Sequence, residues 1–231
     1  MLTQIINGKI LTNEGWLEGG SIILSDSKIL EITNSDLPRV GAHIVDVKGD
    51  YILPGFVAMN IHGGGGHAYK EGTREAFDTA TSVHLKHGAT TIFPTIYTAK
   101  TEKIYNSAIV CEEILKEGNT PIKGLHIAGP YFNPQMVKGF PGAKDPDKEE
   151  YLKILSDIPF IKRWDLSPEL PGAYEMATIL KWKNIVAGIT HTQAEFQVVK
   201  EAMEAGFTHV SQLYNSMPGF HKRGEYKYEG T

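Results

Sequence analysis

Cysteine is nearly absent from this 231-residue chain. Cys111 stands alone, which excludes an internal disulfide framework and a cysteine-based zinc cluster. Nowhere do 18 apolar residues run together, so no segment reads as a transmembrane helix, and residues 1–10 lack the apolar core of a signal peptide. Runs of five or more like charges are missing too. With 23 basic against 27 acidic residues and a net charge of −4, neither a nucleic-acid-binding surface nor a polybasic membrane anchor is indicated. These absences point to a cytoplasmic protein that handles a small molecule. What the chain does have is an apolar fraction of 41%, enough for a buried core in one large or two small domains. Its 24 glycines exceed the usual share of about 7% and suggest many tight turns.

Residues 1–50 read as short alternating β segments. Asn7-Gly8, between Gln4-Ile5-Ile6 and Lys9-Ile10-Leu11, has the chemistry of a type I′ hairpin, and Asp26-Ser27 divides two further segments in the same way. From Tyr51 onward the pattern becomes apolar strand, glycine-rich turn and amphipathic helix, repeated, which predicts a parallel α/β sheet or barrel over 51–231. Strands are expected at 51–62, 90–95, 122–128, 161–167, 184–190 and 207–213. Within 101–117, Ile104, Ala108, Cys111 and Leu115 fall on one helical face, which makes Cys111 a core residue. Thr192-Gln193-Ala194-Glu195 reads as a capping box opening the next helix, and Gly206 as that helix's stop.

Ligands of α/β barrels sit at the carboxyl ends of strands, and four such ends carry polar groups. The first, Asn60-Ile61-His62 followed by Gly63 to Gly66, puts Asn60 and His62 on one side of a strand and leaves backbone N–H groups open to a ligand. The others are 124–133, 187–192 and 211–218. His191, beside a helix start, suits a neutral metal ligand or a capping residue equally. His126, inside an apolar strand, reads as a satisfied core histidine. His84, His87, His209 and His221 have ordinary structural readings.

Taken together, in order and spacing, Leu53-Pro54-Gly55-Phe56, His62-Gly63-Gly64-Gly65-Gly66, Gly129-Pro130-Tyr131-Phe132-Asn133, Gly142-Ala143-Lys144-Asp145-Pro146, Ser167-Pro168-Glu169 and Leu213-Tyr214-Asn215-Ser216-Met217-Pro218 resemble the metal-dependent amidohydrolase superfamily. Within it, they resemble specifically the N-acetylglucosamine-6-phosphate deacetylase family. The resemblance implies a TIM-type (β/α) barrel, here incomplete at about six strands, with residues 1–50 as part of a small β-sandwich. It implies hydrolysis of the acetamide of an amino-sugar phosphate, a divalent metal such as zinc, and a homodimer. By the same resemblance Asn215, Ser216, Lys144 and Gly63 belong to the substrate site, and Arg223 reaches the phosphate of the neighbouring subunit.

The metal positions of the pattern depart from the family. Its ligands map onto His191 and Gln212, with Asn60 and His62 at the early His-x-His and Ala128 where a glutamate is usual. An alanine offers no donor and a glutamine carbonyl is a weak one, so the expected metal is weakly bound or absent. The resemblance ends before two further strands and the catalytic aspartate, so no catalytic residue is nominated. An alternative reading is a truncated, non-catalytic member that keeps a sugar-phosphate or subunit-binding surface.

Overall fold

A computed structural model describes residues 1–26, 28–218, 221–223 and 226–228, the last two segments by backbone alone. The chain divides into two compact units, Met1–Gly55 and Phe56–Thr231.

In the first unit β1 (Leu2–Thr12), β2 (Gly15–Ser25), β3 (Lys28–Thr33), β4 (His43–Asp46) and β5 (Tyr51–Ile52) form one sheet. Its order is β3-β2-β1-β4, with β5 also on β1. Asn7-Gly8 does not make the expected hairpin. β1 runs straight through it, Asn7 takes a φ of 58°, and the register with β2 shifts there. The left-handed residue is absorbed as a bulge, and the chain reverses at Asn13-Glu14 instead. A β-carbon at position 8 would press on the Ile52 and Val47 side chains, which would have to shift. Asp26, with a φ of 54°, does turn β2 into β3, which pair antiparallel; Ser27 lies outside the described residues. Buried Gln4 organises the loop that follows β3, donating to Ser21 Oγ at 2.9 Å and to the Leu37 carbonyl at 3.0 Å, and accepting from Arg39 N–H at 2.7 Å. The change of pattern at Tyr51 puts the junction at residue 50, while Tyr51 and Ile52 pair with β1 and fall within the first unit.

The second unit opens with β6 (Phe56–Ile61), a miniature hairpin of β7 (Gly63–Gly64) and β8 (His67–Ala68), and a 3-10 turn over Tyr69–Glu71. Then strands and helices alternate: α1 (Arg74–Lys86), β9 (Ala89–Tyr97), α2 (Thr101–Glu117), β10 (Leu125–Ala128), α3 (Lys148–Asp157), β11 (Ile161–Leu166), α4 (Ala173–Trp182), β12 (Val186–Ile189), α5 (Phe196–Ala205) and β13 (Phe207–Val210). A backbone pair, β14 (His221–Arg223) and β15 (Tyr226–Tyr228), follows. β6 and β9 to β13 make one parallel sheet of six strands in the order β13-β12-β11-β10-β9-β6.

The predicted strand 51–62 is two strands, because Leu53-Pro54-Gly55 interrupts pairing. The one predicted at 207–213 stops at Val210. Beyond it Gln212, Tyr214 and Ser216 take positive φ values of 54°, 64° and 57°, and left-handed residues at every second position do not continue an extended strand. Ile104, Ala108 and Cys111 are buried against the sheet as expected, among Ile92, Ile96, Leu125, Ile127 and Trp164. Each large side chain removed from water there contributes about 1.5–3 kcal/mol. Gly206 ends α5 as expected, but Glu195 rather than Thr192 stands at the N-cap. The Thr192 hydroxyl is committed elsewhere, accepting from Ala194 N–H at 2.8 Å and donating to Glu169.

Candidate active site

The carboxyl ends of the parallel strands surround a cavity of about 300 Å³. β6 contributes Asn60 and, just past its end, His62; the two-residue repeat turns both toward the same space. β9 contributes Tyr97, its last residue. Ala128 ends β10, with Phe132 four residues on, and Asp165 comes from β11. Thr190 and His191 follow β12, and Gln212 follows β13. The residues matched to the family's metal positions are therefore brought to one cavity.

Under the cavity lies a polar network that sequence reasoning missed. Arg163 and Asp165, two apart on β11 and both buried, form a bidentate pair: Nε donates to Oδ1 at 2.7 Å and Nη2 to Oδ2 at 2.9 Å. Ser211 Oγ also donates to Asp165 and accepts from Arg163. His126 Nε2 stands 3.0 Å from Asp165 Oδ2, while its Nδ1 meets Thr95 Oγ1 at 2.9 Å. Burial pushes the Asp165 carboxyl up, but His126 and Arg163 outweigh it and hold the group well below the usual carboxylate range. Burial lowers His126 most, against the pull of Asp165, so this imidazole is neutral at pH 7. Gly188 on the neighbouring strand leaves the room: a β-carbon there would strike Asp165 Oδ1. The signal in the sequence was Arg163-x-Asp165, two opposite charges on one face of a short strand.

The loops above the strands are tied together by the Ser167-Pro168-Glu169 motif. Ser167 Oγ accepts from Asn133 N–H at 2.8 Å and lies 3.0 Å and 2.8 Å from the Thr190 and His191 carbonyls, to which it donates. The Glu169 carboxylate accepts from Asn133 Nδ2 and from Gln193 N–H, each at 2.8 Å. One serine and one glutamate thus fix the loops after β10 and β12 relative to each other.

His191 takes a φ of 46° and is 8% exposed. Its ring lies 4.7 Å from that of Phe132 and 6.1 Å from that of Tyr97, and Phe140 packs behind both of these aromatics. Its Nδ1 is buried and finds no hydrogen-bond partner among the described residues. Burial lowers its pKa, with Asp165 opposing and His62 adding. His62, edge-on to Tyr97 at 5.5 Å, is lowered by burial and then by His126 and Lys70. Both imidazoles are neutral at pH 7.

A resident metal does not suit this donor set. Ala128 presents a methyl group, and among the described residues no three His, Cys, Asp or Glu side chains gather to hold an ion. Two neutral imidazoles and two amides remain, short of the about three strong protein ligands of a catalytic zinc site. Asp165 is the one carboxylate at the cavity, and its charge is already matched by the buried Arg163 guanidinium.

The remaining candidate positions lie apart from the cavity wall. Lys144 Nζ pairs with Glu150 Oε2 at 2.8 Å, and Tyr131 OH and Thr101 Oγ1 donate to the same carboxylate at 2.7 Å each. Gly63 is held in the β7–β8 hairpin, where its carbonyl meets His84 Nε2 at 3.0 Å. Asn215 and Ser216 stand in the turn after β13, with Asn215 N–H donating to the Gln212 carbonyl at 2.7 Å. The Arg223 side chain lies outside the described residues.

No protein-family model matches the chain. It is similar to the N-acetylglucosamine-6-phosphate deacetylases of Homo sapiens, 26% identical over 227 residues, and of Bacillus subtilis, 25% identical over 231 residues. The alignments cover 94% and 93% of this chain but 54% and 56% of the relatives, so the chain spans little more than half their length. The crystal structure of N-acetylglucosamine-6-phosphate deacetylase from Pasteurella multocida shares the fold, with a TM-score of 0.86 at 22% identity over 94% of this chain and 57% of that one. In sequence and in fold the chain is N-acetylglucosamine-6-phosphate deacetylase-like.

Proposed function

We propose that this chain acts on an N-acetylated amino-sugar phosphate as an N-acetylglucosamine-6-phosphate deacetylase-like amidohydrolase, with the cavity over β6 and β9 to β13 receiving the acetamido end. In this reading the six-stranded sheet is part of a TIM-type barrel, and residues 1–50 belong to a small β-sandwich. The observation that carries the proposal is the convergence of Asn60, His62, His191 and Gln212, drawn from three separate strand ends, on one cavity in a chain similar to those enzymes along nearly its whole length.

Each wall has a task. Tyr97 and Phe132 offer apolar surface to the acetyl methyl, and the Asn60 and Gln212 amides can donate to and accept from sugar hydroxyls. The Arg163–Asp165 pair forms a rigid floor whose charges cancel. Asn215, Ser216, Lys144 and Gly63 take the sugar and phosphate side, with Arg223 reaching across a homodimer, where guanidinium and phosphate match in bidentate geometry. No step is assigned to a metal, because the donor set does not suit one.

The reaction would be hydrolysis of the amide C–N bond, giving acetate and the free amine. The methyl of Ala128 and the carboxamide of Gln212 favour a second reading, in which the site binds the sugar phosphate and does not turn it over. Calorimetric titration with N-acetylglucosamine 6-phosphate and with N-acetylglucosamine, coupled to an acetate assay, tests both. Tighter binding of the phosphate ester supports the shared site. Acetate release supports the amidohydrolase, binding without acetate supports the second reading, and equal or no binding of the two sugars contradicts both.

A further inference from the structure

The Arg163–Asp165 pair has a cavity on each side. The two residues share one face of β11, but Asp165 borders the strand-end cavity, while Arg163 borders a larger one, of about 570 Å³, toward the amino ends of the strands. Both edges of the six-stranded sheet reach this lower space, β6 through Met59 and β13 through Thr208 and His209. The sheet therefore curves around it, and the ion pair is its roof.

The lining of the lower cavity divides by chemistry. Met59, Phe93 and Val186 offer apolar surface, Lys123, Lys162 and Arg163 carry positive charge, and no carboxylate lines it among the described residues. Lys123 Nζ donates to the Thr120 carbonyl at 2.9 Å, an oxygen with no formal charge to match its own. Arg163 is only 5% exposed, and its bonds to Asp165 and Ser211 use Nε and Nη2. Nη1 is the donor those bonds do not use. A space of this size accommodates a small organic molecule. A bare inorganic anion would gain nothing from the apolar wall, and a neutral apolar molecule would leave the cations unmatched and partly desolvated. One molecule that carries both features satisfies the whole lining.

We infer that the lower cavity is a second binding site, for an organic anion with an apolar body, the anionic head lying among Lys123, Lys162 and Arg163 Nη1 and the body against Met59, Phe93 and Val186. Calorimetry on the full chain at low ionic strength is the test, with octanoate, octan-1-ol and inorganic phosphate as probes. Octanoate binds at least about fivefold more tightly than the alcohol, which lacks the charge, and than phosphate, which lacks the chain. Added salt weakens it. The double variant Lys123→Met, Lys162→Met alters two exposed side chains and keeps their apolar stems, so it folds as the native chain does. It weakens octanoate about five- to tenfold and leaves octan-1-ol unchanged. Backbone amide resonances place the ligand: those of Val186 and Thr208 move on adding octanoate. Octanoate that binds no more tightly than the alcohol or phosphate, an affinity that survives the double variant, resonance shifts only at residues away from this cavity, or no binding of octanoate at all overturns the inference. Each of these results leaves the sugar-phosphate reading standing, because that reading concerns the other side of the ion pair.

Discussion

At position 188 a methyl group decides whether the cavity floor can form. A β-carbon there has no space beside Asp165 Oδ1, so Gly188→Ala must displace the carboxylate from Arg163 or move two strands apart. Overpacking costs about 1–3 kcal/mol and disturbing a buried ion pair adds to it. Urea denaturation is expected to show a loss of at least about 2 kcal/mol, and a loss under about 0.5 kcal/mol would mean that the network is not as tight as drawn. Protonation gives a second expectation. The pKa values of His62, His126 and His191 are all lowered from 6.5, with burial the largest cause in each. The unfolded chain therefore binds more protons than the folded one once the pH falls through about 6.5, and stability drops with acidification below neutrality. Asp165 has the same sign in a lower window: its carboxyl is depressed, so its contribution is complete above the ordinary carboxylate pKa and is lost only below it. The urea midpoint should decline between about pH 7 and pH 5 and decline less steeply in a His126→Asn variant. A flat profile in the native chain would contradict the neutral, buried imidazoles. Part of this site was legible from residue spacing, which puts Asn60 and His62 on one strand face, while the family resemblance, not spacing, singled out His191 and Gln212. The Arg163–Asp165 pair was not, because a charged residue in a strand reads as solvent-facing until the neighbouring glycine and serine are known to make room for it.

Among the elements, the loops that frame the cavity depend on one side chain more than on the strands below them. Glu169 accepts from Asn133 and Gln193 and receives the Thr192 hydroxyl, and so joins the segments after β10, β11 and β12. Glu169→Ala should weaken sugar-phosphate binding several-fold while lowering overall stability by only about 1–2 kcal/mol, since it frees loops and removes no core. Parallel titration and denaturation check this, and unchanged affinity would show that the loops hold themselves. The α3 helix offers a simpler expectation. Asp147 caps it, accepting from Glu150 N–H at 3.1 Å, so Asp147→Ala should cost about 1 kcal/mol. Element boundaries were legible where glycine marked them, as at Gly206 after α5. They were missed where a local signal met a stronger partner. Asn7-Gly8 has hairpin chemistry, but β1 stays paired on both sides of it, and the left-handed Asn7 became a bulge. Thr192 has capping chemistry, but Glu169 claims its hydroxyl.

For the whole molecule, the alternation of apolar strands with amphipathic helices was enough to predict a parallel α/β sheet, because each helix needs a strand surface to cover. Six strands were expected and six are found in one sheet. No helix among the described residues is long and apolar enough to cross a membrane. The central claim is that the strand-end cavity of the second unit is an amino-sugar phosphate site, and a crystal of the chain grown with N-acetylglucosamine 6-phosphate tests it most directly. The account predicts the acetamido group between Tyr97, Phe132 and His191 and the phosphate toward Asn215 and Ser216. Sugar density elsewhere on the chain, with the cavity holding only solvent, would contradict it.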